Sequence, residues 1–401
     1  MRAGFSYIDI SPESPQGLYL AGFQNERMST GLRDPLLARV ACLESRDLTL
    51  VLVSLDLVGL MRPEVERIRA ALPEDIRANV IMCSTHTHAG PDTMGLWGKA
   101  MAGAVPVRSG VDPAYLDLLG QRVAKAIITA REQMDEVNLF YHQAQIPYPD
   151  VIENIREPGN FDKTLRMIKF TLPGERAPFA LLINFPCHPE ILWEHNTRVS
   201  ADFVGEFCAR LSEETGAFCM FFNGALGGMV TADLSMDATL KRREEYLPHF
   251  VQQMRNAAWR ALNAPGEPLS GELGIISQKM VIPVENLRFK LMARLKVLNR
   301  NFRGSEVETE VNLLNIGGLP LVTLPGEALP AVGYEAVARV GDPRTMVLCL
   351  GCDELGYLLP EGHFHLPAYK YETSMSVGRH AVPRLMQAVT DMVKHLCLKD
   401  S

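Results

Sequence analysis

The sequence of 401 residues lacks an uninterrupted hydrophobic run long enough to cross a membrane. Its longest apolar stretch, residues 48–60, contains Ser54 and Asp56 and is far shorter than the ~20 apolar residues that a transmembrane helix needs, so we read it as a buried strand. The first twelve residues alternate like a strand and do not contain the continuous apolar segment of a secretory signal. We therefore expect no transmembrane segment and a cytoplasmic location.

An excess of positive charge is also missing. The chain has 40 lysine and arginine residues against 47 aspartate and glutamate residues, a formal net charge of −7. A nucleic-acid-binding surface needs clustered positive charge, so nucleic acid is not an expected partner. The one basic stretch, residues 287–304 (LRFKLMARLKVLNRNFRG), interleaves basic and apolar residues. It predicts a basic amphipathic helix, which either contacts anionic lipid or an acidic partner or is a surface helix with one solvated face.

Cysteine is too sparse for a disulfide scaffold, with eight residues in the whole chain. Most of them lie in apolar runs, where a free cysteine packs as a small hydrophobic residue. These are Cys42, Cys83, Cys187, Cys208, Cys219 and Cys397. Cys349 and Cys352 form a lone CxxC, which without a second pair is a weak indication of a metal or redox site.

The chain does contain alternating strand-like and helical patterns. Apolar runs predict strands near 4–10, 36–44, 48–58, 79–84, 137–145, 164–172, 178–186, 218–222, 270–282, 308–316 and 319–324. Apolar residues at three- and four-residue spacing predict helices near 62–72, 113–135, 202–215, 236–263, 328–339 and 376–397. This alternation predicts an α/β fold with mixed β-sheets and flanking helices, in one elaborated domain or two closely packed ones. Functional side chains should favour the loops at the strand ends.

A pair of histidines follows one of the predicted strands. In NVIMCSTHTHAGPD (residues 79–92) the apolar run ends near Ser84 and is followed by His86 and His88 before a Gly-Pro turn. Side chains two residues apart in extended backbone point to the same side, so both imidazoles can face one cavity. Such a pair suits a divalent metal, or one metal and one proton carrier. The alternative is two ordinary loop histidines with hydrogen-bond partners.

Three other strands deliver polar residues into turns in the same way. They lead to His188 in ALLINFPCHPE, to Glu327 in LPLVTLPGEALP, and to Asp353, Glu354 and Tyr357 in TMVLCLGCDELGY. If these loops converge, His86, His188 and Glu327 form the His₂Glu set that catalytic zinc sites use. Taken singly, His188 could cap a strand end, and Glu327 could be the first-turn carboxylate of the helix that follows.

The order of these motifs resembles a known family. STHTHAGP, FPCHPE with VSADFVG, LPGE, and GYLLP with YKYE occur in this sequence in the order found in the neutral (alkaline, non-lysosomal) ceramidase family. The first 45 residues also look like the start of that family's N-terminal catalytic domain. The resemblance implies that residues 1–401 form a single zinc-hydrolase domain of the neutral ceramidase type. The family's C-terminal immunoglobulin-like domain has no counterpart in this sequence.

The resemblance also implies roles for individual residues. His86, His188, Glu327 and Tyr357 would bind zinc (Zn²⁺), and His88 would transfer protons beside it. Tyr371 in YKYE would help to hold the scissile carbonyl, and Arg156 in ENIREPG matches the substrate-contacting arginine. The sequence departs from the family in FFNGALGGMVT (residues 221–231), where Gly228 replaces an aspartate and Asn223 is retained as a candidate pocket residue.

These residues predict a zinc-dependent hydrolase that cleaves a linear amide bond of an N-acyl compound, ceramide-like or smaller, through a metal-activated water. One alternative is a zinc peptidase or deacylase for a small polar substrate, and another is a metal-stabilised binding protein without turnover. A deep apolar pocket beyond His88 would distinguish the first reading from a peptidase with a short charged cleft. The expected partner is the small-molecule amide, and a homo-oligomer is compatible with the sequence.

Further polar residues could support such a site. Asp56 and Asp202 could each accept the second N–H of a ligating histidine, or could instead cap a strand end and a helix. His363 and His365 form a second HxH, which we interpret as loop or pocket-wall residues.

Overall fold

The computed structural model describes residues 1–46, 48–101, 105–147, 151–232, 240–300 and 302–397. The strands are β1 (Arg2–Asp9), β2 (Gln16–Tyr19), β3 (Met28–Leu32), β4 (Leu37–Ser45), β5 (Leu48–Leu55), β6 (Val80–Ser84), β7 (Ala100–Met101), β8 (Val105–Pro106), β9 (Asp135–Glu136), β10 (Asn138–Gln145), β11 (Ile152–Asn154), β12 (Thr164–Thr171), β13 (Ala180–Phe185), β14 (Arg198–Val199), β15 (Phe218–Asn223), β16 (Val230–Ala232), β17 (Glu267–Leu269), β18 (Leu273–Pro283), β19 (Glu306–Ile316), β20 (Leu319–Leu324), β21 (Glu327–Ala328), β22 (Met346–Cys349) and β23 (Tyr357–Leu358). The helices are α1 (Arg62–Ala70), α2 (Glu74–Arg77), α3 (Pro113–Glu132), α4 (Asp202–Thr215), α5 (Leu240–Asn263), α6 (Leu287–Arg294), α7 (Pro330–Val340), α8 (Lys370–Ser374) and α9 (Ala381–Cys397).

The longer strands form three sheets that share the same arrangement of antiparallel strands with one parallel pair. Their strand orders are β6-β5-β4-β1-β9, β15-β13-β12-β10-β17 and β18-β19-β20-β22. Each sheet is antiparallel except for one parallel pair at an edge: β5 with β6, β13 with β15, and β20 with β22. Mixed sheets with flanking helices confirm the predicted α/β fold. Helix α3 covers the first sheet and α1 packs on α3, while α4 and α5 cover the second sheet and α7 and α9 the third.

The parallel edges of the three sheets meet in the interior. The edge strands β6, β15 and β22 contact one another. Side-chain hydrogen bonds cross these contacts: the Ser54 hydroxyl donates to the Phe221 carbonyl at 2.6 Å, and the Asn184 amide donates to the Val347 carbonyl at 2.9 Å. The loops that follow β6, β13 and β20 are thereby brought into one region.

The cysteines pack in the interior, as their apolar neighbours predict. Every cysteine whose side chain the structure describes is buried and free, and these include Cys349 and Cys352 of the CxxC. Burial raises the pKa of both thiols to about 12, which does not favour a reactive thiolate.

Among the described helices, none combines the length and the apolar character required to cross a membrane.

The predicted basic helix over 287–304 is wrong in its length. Helix α6 ends at Arg294, and Lys296 has a left-handed backbone with φ +57° that turns the chain. The residues that follow are drawn inward: Val297 and Leu298 are buried, and Arg300 pairs with Asp353 at 2.8 Å. The apolar pattern after Leu295 therefore reflects burial under a loop and not a continuing helix.

A buried ion-pair network fixes α1 to β19 and generates a stability prediction. The Glu310 carboxylate accepts from Arg62 and Arg69, each at 2.7 Å, and burial opposes its ionisation, but the two guanidinium groups lower its pKa to about 2. We expect Glu310→Gln to lower the free energy of unfolding by about 3–5 kcal/mol, because it removes the buried counter-charge of two buried arginines and leaves them only the more exposed Glu66 and Glu308. Urea denaturation at neutral pH measures this loss.

The control is Glu308→Gln, which removes a half-exposed carboxylate 3.8 Å from Arg62 and should cost less than about 1 kcal/mol. Since the pKa of Glu310 is lower in the folded protein, its contribution is present above the unfolded pKa of about 4.3 and is lost as the pH falls towards 2. Equal losses for the two variants would contradict the assignment.

Candidate metal centre

The polar residues that follow β6, β13 and β20 converge on one buried point. His86 and His88 follow β6, His188 follows β13, and Glu327 follows β20. The Glu327 Oε2 atom lies 3.3 Å from Nε2 of His86 and 3.2 Å from Nε2 of His188. Segments more than 100 residues apart in sequence thus meet because the parallel edges of three sheets share one interior region.

The two histidines that face Glu327 are oriented by backbone carbonyls. The Nδ1 atom of His86 lies 2.6 Å from the Val58 carbonyl oxygen, and the Nδ1 atom of His188 lies 3.0 Å from the Val230 carbonyl oxygen. A carbonyl can only accept a hydrogen bond, so each Nδ1 carries a proton and Nε2 is the nitrogen that faces Glu327.

This donor set fits a metal ion. Burial opposes ionisation of Glu327, but His86 and His188 hold the pKa of its carboxyl well below the usual range. The ionised carboxylate facing two imidazole nitrogens is stabilised by a positive charge, which either a proton on Nε2 or a metal ion held between the three residues supplies. Two imidazoles with a carboxylate are also a ligand combination that zinc accepts.

A third imidazole completes a buried group of histidines. Ligand atoms of His86, His88 and His188 all lie within 4.8 Å of one another, so these three residues could also hold a metal ion. His88 differs from the other two in its partner, because its Nδ1 lies 3.0 Å from Oε2 of the buried Glu190. Burial lowers the pKa of His88 to about 4 although Glu190 opposes this shift.

Glu190 is a residue of the site that sequence reasoning missed. It stands two positions after His188 in CHPE, and its side chain is fully buried. Burial would raise its pKa, but His88 outweighs burial and lowers it to about 2, so the carboxylate is ionised beside the imidazole. A glutamate this close to a predicted metal ligand is the signal that could have identified it.

Tyr357 lies beside Glu327 through β-pairing. The short strands β21 and β23 are parallel, and Glu327 is the register partner of Tyr357. Burial, together with the charge of Glu327, raises the pKa of the Tyr357 hydroxyl well above its ordinary value.

Tyr371 lies at the entrance of the pocket that leads to these residues. Its ring lies 5.9 Å from that of Tyr357, and Tyr371 is 48% exposed. Burial of its hydroxyl raises the pKa of Tyr371 to about 12.

Arg156 is linked to this entrance by a hydrogen bond to Glu372. Its Nε donates to Oε1 of the buried Glu372 at 2.6 Å, and Glu372 follows Tyr371 in α8. Arg156 is also near Gly228, whose φ of +72° is the left-handed conformation that glycine favours. Arg156 is not among the residues that line the pocket in front of the histidines.

The pocket in front of His86 and His88 is mainly apolar. Its polar lining includes Glu327, Tyr357 and Tyr371 together with Arg300 and Glu354. The remaining wall is made of hydrophobic side chains, namely Val58, Met61, Met94, Leu96, Trp97, Phe289, Leu298, Phe302, Leu355, Met375 and Val377. A cavity of this kind suits a ligand with a hydrocarbon part and a polar group near the histidines.

Asn223 holds two of the histidine loops together and does not line the pocket. Its fully buried amide donates to the carbonyls of Thr85 and Cys187 at 2.9 and 2.8 Å, and its Oδ1 accepts from the Cys187 amide at 2.9 Å. The retained asparagine therefore positions the loops that carry His86 and His188.

Of the two alternatives for Asp56 and Asp202, the one that pairs them with ligating histidines does not hold. Asp56 is engaged by Arg39 at 2.8 Å and by the Leu37 amide, and Asp202 accepts from the amides of Ile191 and Leu192. The backbone carbonyls already described take their place. His363 and His365 do not line the pocket; the ring of His363 packs 4.8 Å from Tyr369.

Comparison with known proteins identifies the fold. Neutral ceramidase from Pseudomonas aeruginosa superposes with a TM-score of 0.79 at 15% sequence identity, covering 98% of this chain and 74% of that one. A structure of ceramidase complexed with C2 superposes with a TM-score of 0.81 at 14% identity, covering 99% and 75%. No protein-family model matches the sequence, and no curated protein sequence matches it either. The chain has a neutral ceramidase-like fold, as its motifs predicted.

The position of Asn223 yields a prediction about metal retention. Asn223→Ala should lower the free energy of unfolding by about 2–4 kcal/mol, because it leaves buried backbone groups of both histidine loops unpaired. It should also weaken zinc binding at least tenfold, as measured by competition with a chromogenic chelator.

The matched control is Asn184→Ala, which removes a buried amide that bonds to the carbonyls of Phe222 and Val347. We expect it to lower stability similarly while zinc affinity stays unchanged. If both variants lose zinc to the same extent, the loss reflects general destabilisation and the positioning role of Asn223 is wrong.

Proposed function

We propose that the protein is a zinc-dependent hydrolase that cleaves a linear amide bond of an N-acyl compound, ceramide-like or smaller. The observation that carries this proposal is the convergence of His86, His188 and Glu327 on one buried point, with both Nε2 atoms facing the same carboxylate oxygen. The ceramidase-like fold supports the reaction class. The proposal treats residues 1–401 as one catalytic domain, because all three large sheets contribute to this region.

His86, His188, Glu327 and Tyr357 would hold the ion in this proposal. A set with two imidazole nitrogens favours zinc over the hard cations that bind through oxygen alone. When bound, zinc polarises an amide carbonyl and makes water a stronger nucleophile at neutral pH. Tyr357 is included because its β-pairing with Glu327 places it at the same point of the pocket wall.

His88 and Glu190 would move the proton. The Nδ1 atom of His88 faces Glu190, which fixes the ring and leaves Nε2 for proton transfer. His88 would accept a proton from the attacking water and return it to the departing amine. The buried carboxylate of Glu190 would stabilise the imidazolium that forms in between.

Tyr371 and Arg156 would act on the scissile carbonyl. The Tyr371 hydroxyl can donate a hydrogen bond to the oxygen on which negative charge develops, a contact whose loss typically costs about 2.7–4 kcal/mol. Nε of Arg156 is occupied by Glu372, so only its terminal nitrogens remain for substrate. The same bond ties Arg156 to the helix that carries Tyr371.

The lining of the pocket favours an acyl substrate over the small polar substrate of a peptidase or deacylase. Its wall beyond His88 is built mainly from hydrophobic side chains such as Phe289, Leu298 and Met375, which suits a hydrocarbon chain better than a small polar peptide. A binding protein without turnover would have no use for the His88–Glu190 pair.

His88→Ala tests the division between metal ligands and proton carrier. We expect the purified wild type to hold about one zinc per chain and to lose amidase activity with a chelator. His88→Ala should retain zinc while kcat falls about 10²- to 10⁴-fold, the usual contribution of a general acid–base group. Metal analysis and hydrolysis of a panel of N-acyl amides measure the two properties.

Glu327→Gln serves as the contrasting variant and should lose zinc together with activity. If His88→Ala loses zinc as well, the three-histidine set holds the ion and the assignment of His88 fails. Full activity of the metal-free wild type would contradict the hydrolase mechanism as a whole.

Glu190→Gln tests the positioning of His88. The neutral amide keeps the shape but cannot stabilise an imidazolium, so kcat should fall at least tenfold while KM and zinc content stay close to wild type. The control is Glu194→Gln, which changes a carboxylate with 45% side-chain exposure and should leave kcat unchanged. A rise in KM with unchanged kcat would assign Glu190 to substrate binding instead.

A further inference from the structure

Helix α6 exposes a stripe of three leucines. Leu287, Leu291 and Leu295 are 76%, 50% and 55% exposed. Their four-residue spacing places them on one side of the helix, with Leu295 at its C-terminal cap. Single exposed leucines are common on protein surfaces, but three in line form a continuous apolar ridge.

Basic side chains flank this ridge. Lys290 and Arg294 follow Leu287 and Leu291 by three positions and therefore lie beside them on the helix surface. Lys296 is exposed just beyond the helix. None of these three cations forms an ion pair with an acidic group in the portion of the chain that the structure describes. The local positive charge contrasts with the net charge of −7 for the whole chain.

The opposite face of α6 belongs to the pocket. Phe289 and Met292 are buried in the core around the site, and Phe289 lines the pocket itself. The cap residue Asn286 donates to the carbonyls of Ser374 and Ser376, which lie at and just beyond the C-terminal end of the helix that bears Tyr371. The leucine ridge therefore sits on the outer side of the same wall whose inner side faces the substrate.

We propose that the leucine ridge and its basic flank dock the protein on an anionic lipid surface. Leucines would enter the boundary between headgroups and acyl chains, while Lys290, Arg294 and Lys296 would contact acidic headgroups. This combination of apolar and unpaired basic residues fits a lipid surface better than a stable protein partner, which needs an interface of about 1,200–2,000 Å². Docking would bring the pocket entrance to the surface from which an amphiphilic amide could enter.

The proposal goes beyond the proposed hydrolase function, because lipid binding requires no turnover. Sedimentation with vesicles of phosphatidylcholine alone, or with added phosphatidylserine, measures it directly. We expect wild type to bind the phosphatidylserine vesicles and to lose affinity as salt is raised. Lys290→Gln with Arg294→Gln should weaken that binding about fivefold for each residue and reduce its salt dependence.

The variant Leu287→Ser/Leu291→Ser/Leu295→Ser should weaken binding tenfold or more on the same vesicles. Leu32→Ser changes a leucine of similar exposure (42%) on β3 and should bind as wild type does. Thermal unfolding should show the triple variant folded, because the changed side chains contribute little to the core. Hydrolysis of a soluble short-chain N-acyl amide should be unchanged in the triple variant, which separates a failure of docking from a failure of the hydrolase proposal.

Two results would overturn the docking proposal. One is wild-type sedimentation equal to that of the triple variant on phosphatidylserine vesicles. The other is a wild-type dimer, in sedimentation velocity, that the triple variant abolishes without any vesicle binding by either protein, which would assign the ridge to contact between copies of this chain.

Discussion

The structure of the site depends on the hydrogen bonds between two histidine Nδ1 atoms and the carbonyls of Val58 and Val230. These bonds place a proton on Nδ1 of each ring and turn both Nε2 atoms towards Glu327. Without them the imidazoles could rotate, and their Nε2 atoms would no longer face the carboxylate. Backbone groups in loops beside rigid sheet edges hold this orientation more firmly than flexible side chains would.

The sheet architecture explains why these carbonyls are available. Each large sheet places one parallel strand pair at an edge, and those edges meet in the interior. The loops that leave these strands must turn sharply, and His86 adopts a left-handed φ of +75° within such a turn. A non-glycine residue in that conformation needs support from its surroundings, which Asn223 provides by joining the loops that carry His86 and His188.

Sequence reasoning predicted the α/β class, the strand ends and the meeting of His86, His188 and Glu327, because apolar runs ending in Gly- or Pro-marked turns are visible in the sequence. It could not predict which group orients each histidine. Asp56 and Asp202 have the right chemistry, but Arg39 and backbone amides engage them, and only tertiary structure shows this. Helix α6 was predicted too long because the inward turn after Leu295 buries apolar residues that continue a helical pattern.

Only part of the pocket wall comes from the same stretch of chain as the histidine cluster. Val58 and Met94 lie close in sequence to His86 and His88, whereas Phe289 and Leu298 lie in and after α6, and Met375 and Val377 follow α8. Changes in the region around α6 and α8 could therefore reshape the far wall of the pocket while leaving the histidine cluster intact. If the proposed function holds, chains of this fold could diverge in the ligand they accept without rebuilding the metal centre.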